Sequence, residues 1–180
     1  MGHAKVFEHE KLICAVLFTD ETIAETAIAK LKNAFGETDA ESEPYCFSEI
    51  SPYYDQEMKG KVFRRIISFK ECRDPAELSA IKSFTNAVEQ ESADCGERCI
   101  NLDPGFISPG RLSLATTKNA GHRIPLSDGI YAELTLFYAR GKWNPFPWTY
   151  MDFKLPTVHS FLTRVRTVYM QQRKHWLSND

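Results

Sequence analysis

The chain has 180 residues, of which 43% are hydrophobic, 26% charged and 12% aromatic, a size and composition that predict one folded domain with a substantial core rather than a disordered chain. Its net charge of −2 supplies no field strong enough to hold a polyanion, so nucleic acid is disfavoured as the main partner. The longest apolar run, residues 12–18, is far too short to cross a bilayer and no signal-peptide core precedes it; no membrane partner and a cytoplasmic location are expected.

Residues 12–18 are an unbroken apolar run rich in strand formers, as a strand covered on both faces requires. Asp20 then caps a predicted helix with Ile23, Ala24, Ala27, Ile28, Leu31 and Phe35 on one face, and Gly36 stops it. An acidic stretch, residues 37–43, leads to a short strand near 45–50 and a second strand over 61–69. Within that strand Arg65 shares a face with Phe63 and Ile67, which calls for a carboxylate partner. Asp74-Pro75-Ala76-Glu77 is the strongest helix start in the chain, followed by a buried stripe of Leu78, Ile81, Phe84 and Val88 and by Gly96 past its end.

Short alternating strands are predicted over 98–103, 111–118 and 128–139, the last turning at Arg140-Gly141 into 142–148. A closing helix begins at Thr157 and carries Val158, Phe161, Leu162, Val165, Val168, Tyr169 and Trp176. Its Arg164, Arg166, Arg173 and Lys174 read as a solvated face. The order β-α-β-β-α-β predicts an α+β fold: a ferredoxin-like core with a C-terminal antiparallel strand extension and a closing C-terminal helix.

Five cysteines, Cys14, Cys46, Cys72, Cys95 and Cys99, are odd in number and irregularly spaced, which predicts free thiols. Cys95 and Cys99 lack the second pair that a structural zinc site needs, and packing is the preferred account of them.

Polar chemistry concentrates between Asn101 and Glu133. Strand parity places Ile100 and Leu102 on one face and Cys99, Asn101 and Asp103 on the other. It likewise sets Ile130, Ala132, Leu134 and Leu136 against Tyr131, Glu133 and Thr135. The two polar sets meet if these strands are neighbours. Between them, Thr117, Lys118, His122 and Arg123 suit an anionic ligand, with Lys118 as a point charge and Arg123 as a planar fork. Asp103, His122 and Glu133 are the candidate catalytic residues. Asn101, Thr117, Lys118, Arg123 and Tyr131 are the candidate ligand-binding set. The rival use is a divalent metal such as Mg or Mn held by Asp103, His122, Asp128 and Glu133. The bland account makes Asp103-Pro104-Gly105, Ser108-Pro109-Gly110 and Ser127-Asp128-Gly129 turns. The aromatic strap Trp143-Asn144-Pro145-Phe146-Pro147-Trp148-Thr149-Tyr150 is expected to pack over the core rather than stack on a base.

Asn101-Leu102-Asp103-Pro104-Gly105, Leu114-Ala115-Thr116-Thr117-Lys118, His122-Arg123-Ile124, Asp128-Gly129-Ile130-Tyr131-Ala132-Glu133 and Trp148-Thr149-Tyr150 resemble a family of uncharacterised bacterial proteins, a domain of unknown function (DUF4416). The likeness extends upstream through Glu41-Ser42-Glu43-Pro44 and Tyr53-Tyr54, covering nearly the whole chain. It implies no activity and no catalytic residues to carry over. Some relatives bear a GTP-binding label, but this chain has neither a Gly-x-x-x-x-Gly-Lys-Ser/Thr phosphate loop nor an Asn-Lys-x-Asp motif. The expected function is binding of a small anionic or phosphorylated metabolite, with or without catalysis. The alternative is a non-catalytic regulatory or interaction protein that docks a partner, or a second copy of itself, through the strap or the last helix.

Overall fold

The computed structural model describes residues 2–93 and 97–178. Cys95, expected to pack as a free thiol rather than to hold a metal, and Gly96, expected to stop a helix, lie outside the described residues. The fold is α+β. Its strands are β1 (Glu10–Phe18), β2 (Thr38–Glu41), β3 (Tyr45–Cys46), β4 (Phe63–Arg73), β5 (Ile100–Ile107), β6 (Arg111–Thr116), β7 (Arg123–Pro125), β8 (Tyr131–Ala139) and β9 (Lys142–Pro145). The helices are α1 (Glu21–Phe35), α2 (Leu78–Glu91) and α3 (Pro156–Leu177). The strands form one antiparallel sheet in the order β2-β4-β1-β5-β6-β8-β7, with β3 added to β4 and β9 to β8.

β1 is apolar throughout because both its faces are covered. Leu12, Cys14, Val16 and Phe18 pack with α1 and α2, while Ile13 and Ala15 pack with α3. Leu17 joins Phe47, Met58 and Val62, which close the end of the α3-side face beyond that helix. Asp20 caps α1 by accepting from the Thr22 and Ile23 amides, and Gly36 ends it at φ 94°. The acidic stretch, expected to lead into a strand, itself forms the edge strand β2. Its carboxylates are neutralised from other strands of the sheet, Asp39 by Lys11 of β1 and Glu41 by Arg65 of the adjacent β4. Glu21 and Glu25 of α1 also pair with Arg65, Glu25 at 2.7 Å, so the partner that Arg65 required is supplied three times over.

Asp74 starts the next helical segment as expected, but Pro75–Glu77 is a tight 3-10 turn before α2. The stripe on α2 is not the one expected. Leu78, Ile81 and Val88 are buried, whereas Phe84 is 38% exposed and meets Phe35 edge-on. Lys82, Thr85 and Glu89, three and four residues apart, are buried instead. On α3, Val168 and Trp176 are likewise partly exposed, Trp176 stacking on His9. Arg166 and Arg173 are not merely solvated: Arg166 donates to the Pro109 carbonyl and Arg173 grips Glu8.

Two irregularities in the sheet position the site. β5 pairs with β1 along its whole length, but with β6 only at Gly105, Phe106 and Ile107. From Ile100 to Pro104 its outer edge faces no strand. There the Leu102 amide donates to Glu89 and the Leu102 carbonyl accepts from Lys82, so α2 side chains stand in for a missing strand. Pro104 lies two residues further along the same edge and has no N–H to offer β6. Asp103-Pro104-Gly105 is therefore mid-strand and not a turn. Ser108-Pro109-Gly110 does turn, its Ser108 hydroxyl accepting from the Gly110 and Arg111 amides.

The second irregularity is a register shift between Leu112 and Ser113, which sets Leu112 opposite Leu136 but Leu114 opposite Glu133. Leu112, Leu114 and Leu136 all pack on the α3 side, so Glu133 shares that side with Leu136. The strict alternation expected over 130–137 breaks at this point. Its first half holds, Ile130 and Ala132 packing on the α1–α2 side.

Candidate functional site

The split between β5 and β6 opens a cleft. Asn101 and Asp103 from β5, Thr117 and Lys118 after β6, and Glu133 from β8 all line it. The strands carrying Asp103 and Glu133 are not neighbours, since β6 runs between them, yet both carboxylates reach one hollow. Parity in β5 explains Asp103, which stands in line with Ala15 of β1 on the α3 side of the sheet. The gap beside Pro104 leaves this side chain room that a paired β6 would have filled.

Several lining residues were not anticipated from sequence: Arg64 of β4, Lys82 of α2, Arg98, Tyr54 and Tyr150. Arg64 is 4% exposed and pairs with the buried Asp152 and, at 3.5 Å, with Asp103. Lys82 lies 3.6 Å from Asp103 and 3.4 Å from Glu89. Arg98 pairs with Glu89 and, at 3.2 Å, with Glu57. The signal for Lys82 and Glu89 was their helical spacing beside the apolar stripe. Arg64 was visible only as a charge interrupting an apolar strand.

The predicted basic loop divides its work. Lys118 faces the cleft and its ammonium lies 3.1 Å from the Tyr53 hydroxyl. Arg123 and His122 stand behind Glu133: Arg123 Nε donates to Glu133 Oε2 at 2.7 Å, and His122 Nε2 is 3.2 Å from the same oxygen. Arg123 also donates to the Lys118 carbonyl at 2.7 Å and to the Tyr150 hydroxyl at 2.9 Å, which fixes the loop against the carboxylate. His122 stacks on Trp148, which stacks on Phe146. The strap rings thus pack on one another and hold the imidazole. Tyr131 and Asp128 are not among the lining residues. Asp128 and Gly129 both have positive φ, 56° and 74°, and form the tight turn before β8.

The metal set does not converge. Among the described residues no group of three or more His, Cys, Asp and Glu side chains is close enough to hold an ion. Asp103 oxygens face Asn101, Lys82 and Arg64, and Glu133 faces Arg123 and His122. Protein cations occupy the coordination positions that Mg or Mn would need.

Electrostatics favour a cationic floor. Burial works against the Arg64 charge, but Asp152, Tyr45 and Asp103 outweigh it and hold the guanidinium above its ordinary pKa. Arg98 is raised too, burial being outweighed by Glu89 and Glu57. Burial, and then Asp103, pushes the Tyr54 phenol up, keeping it a neutral donor. Burial, and then Glu133, pushes Tyr150 up to about 12. Because this folded pKa lies above the ordinary 10, its contribution to stability is complete below that value and is lost as pH rises through the folded one. A difference titration of phenolate absorbance, native chain against Tyr150→Phe, should show that ionisation near pH 12; a difference centred at 10 would contradict the burial.

Two buried polar atoms here lack hydrogen-bond partners among the described residues, Arg64 Nε and Glu133 Oε1. Both residues line the cleft, so an unsatisfied donor and an unsatisfied acceptor belong to its walls. The enclosed space is about 80 Å³, room for several waters or one compact charged group but not for a whole drug-sized ligand.

No curated protein and no solved structure matches the chain. A family model described as Domain of unknown function (DUF4416) matches residues 8–169, a span that runs from just before β1 into α3 and contains every residue of the cleft named above. The chain therefore belongs to the DUF4416 family.

Proposed function

We propose that this protein binds a small anionic metabolite, a phosphate or carboxylate compound, in the cleft between β5 and β6. The observation that carries this reading is the lining itself: Arg64, Lys82, Arg98 and Lys118 surround one hollow, and Arg64 Nε has no hydrogen-bond partner among the described residues. Arg64 and Lys82 are held by carboxylates, which leaves Lys118, the most open of these cations, as the principal anchor. Glu133 Oε1 accepts a hydrogen bond from a donor on the ligand or exchanges a proton with it, with His122 and Arg123 positioning the carboxylate. Asp103 accepts a further donor. The order β2-β4-β1-β5, antiparallel throughout and with α1 and α2 on one face, supports a ferredoxin-like core in a single domain.

Thermal-shift and calorimetric titration of the full chain with inorganic phosphate and a panel of phosphorylated and carboxylated metabolites tests the proposal. A binder raises the melting temperature because it favours the native state alone. Lys118→Ala should weaken binding about tenfold, the loss of one charge-assisted contact, without altering stability, since this side chain is exposed. Lys174→Ala, on the exposed side of α3, should change nothing. An absence of any anion-dependent shift, or a shift indifferent to Lys118→Ala, would sink the reading.

A further inference from the structure

The polar cleft has a neighbour on the surface. A second chamber of about 400 Å³ opens beside it and shares four walls with it: Phe47, Tyr54, Lys118 and Tyr150. Its other lining is of different character. Tyr53 is 64% exposed, Met151 62% and Tyr150 44%, so large side chains gather unprotected around one mouth, where a folded chain ordinarily buries them. The inner space admits a charged head group and the outer one a body several times larger.

We infer that the ligand is an anion bearing an aromatic or heteroaromatic ring, its anionic group in the inner cleft and its ring in the outer chamber. This rests on the anion-binding reading above and names the class of molecule that would satisfy it. The choice of a ring over an alkyl chain follows from the walls. Tyr53, Tyr54, Phe47 and Tyr150 present ring faces and edges, Tyr53 and Tyr54 meeting edge-on at 4.9 Å. Lys118 stands at the junction of the two spaces, 5.0 Å over the Tyr53 ring, and Arg123 lines the chamber beside it. A π face is attracted to these cations, whereas an alkyl chain would strip water from them and return nothing.

Calorimetric titration of the full chain with inorganic phosphate, n-butyl phosphate and phenyl phosphate separates the two levels of the argument. Phenyl phosphate should bind at least about tenfold more tightly than inorganic phosphate, the increment that one stacked ring supplies, and more tightly than the butyl ester. Tyr53→Ala should abolish the advantage of phenyl phosphate over inorganic phosphate, both measured in the same variant because Tyr53 also meets Lys118, and Tyr53→Phe should keep that advantage. If inorganic phosphate binds but the phenyl ester binds no better than the butyl ester, or if Tyr53→Ala leaves its advantage intact, the ring assignment is overturned and the anion site stands. If none of the three binds, the anion-binding reading falls with it.

Discussion

Replacing Arg64 by alanine is expected to lower the unfolding free energy by about 3–5 kcal/mol, the usual consequence of removing one partner from a buried ion pair. The reason lies in what remains behind. Asp152 is 1% exposed and, among the described residues, its carboxylate would keep only the hydrogen bond from the Tyr45 hydroxyl at 2.9 Å, its Oδ1 already being without a partner there. Asp103 would lose its contact at 3.5 Å, and the Phe47 and Phe153 rings, 4.7 and 5.6 Å from the guanidinium carbon, would line a void. Removing both charges separates these effects. Arg64→Met combined with Asp152→Leu should recover most of the lost stability, because neither charge then needs compensation. Denaturant unfolding with an unchanged slope is the measurement. A loss below about 1 kcal/mol in the single variant, the range of exposed pairs, would mean that water reaches Asp152 and that this end of the cleft is open.

What sequence reasoning could reach depended on whether the cause was local. β1, the Asp20 cap and Gly36 were legible because apolar continuity, a capping oxygen and a positive φ each act within a few residues. β2 was not, because an acidic stretch becomes a strand only when Lys11 and Arg65 arrive from strands far along the chain. The same division runs through the site. Parity correctly aligned Asn101 with Asp103, and the polar cluster from Asn101 to Glu133 does supply much of one cleft wall. Its opposite side comes from Arg64, Lys82 and Arg98, which no motif singled out. Asp103-Pro104-Gly105 had the composition of a turn, and only the pairing of β5 with β1 reveals it as a strand whose outer edge stays unpaired as far as Pro104. The register shift at Leu112 and Ser113 left no mark in the sequence pattern that parity could detect.

Gly105→Ala should destabilise the fold and weaken ligand binding together, which sets it apart from Lys118→Ala. Gly105 is the first residue of β5 to pair with β6, opposite Leu114. A Cβ there would lie 2.2 Å from the Ser113 carbonyl oxygen, 2.6 Å from Leu114 Cδ2 and 3.2 Å from Leu114 Cα. Two of these three atoms are backbone, so the strands themselves must part. Overpacking of this kind costs about 1–3 kcal/mol even where side chains can yield, and here the rigid partner places the expectation at or above the upper end. Leu114 lines the cleft and stands opposite Glu133 in the next strand. Displacing it shifts the buried carboxylate and widens the space that fits one charged group, so phosphate affinity should fall as well. Gly110→Ala is the control. It lies in the β5–β6 turn, and a Cβ there meets nothing within 4 Å, so its unfolding free energy should change by no more than about 0.5 kcal/mol, the range of neutral surface substitutions. Equal stability of the two variants would show that β5 and β6 tolerate separation at Gly105, and the split would then be a loose end of the sheet rather than a built cleft.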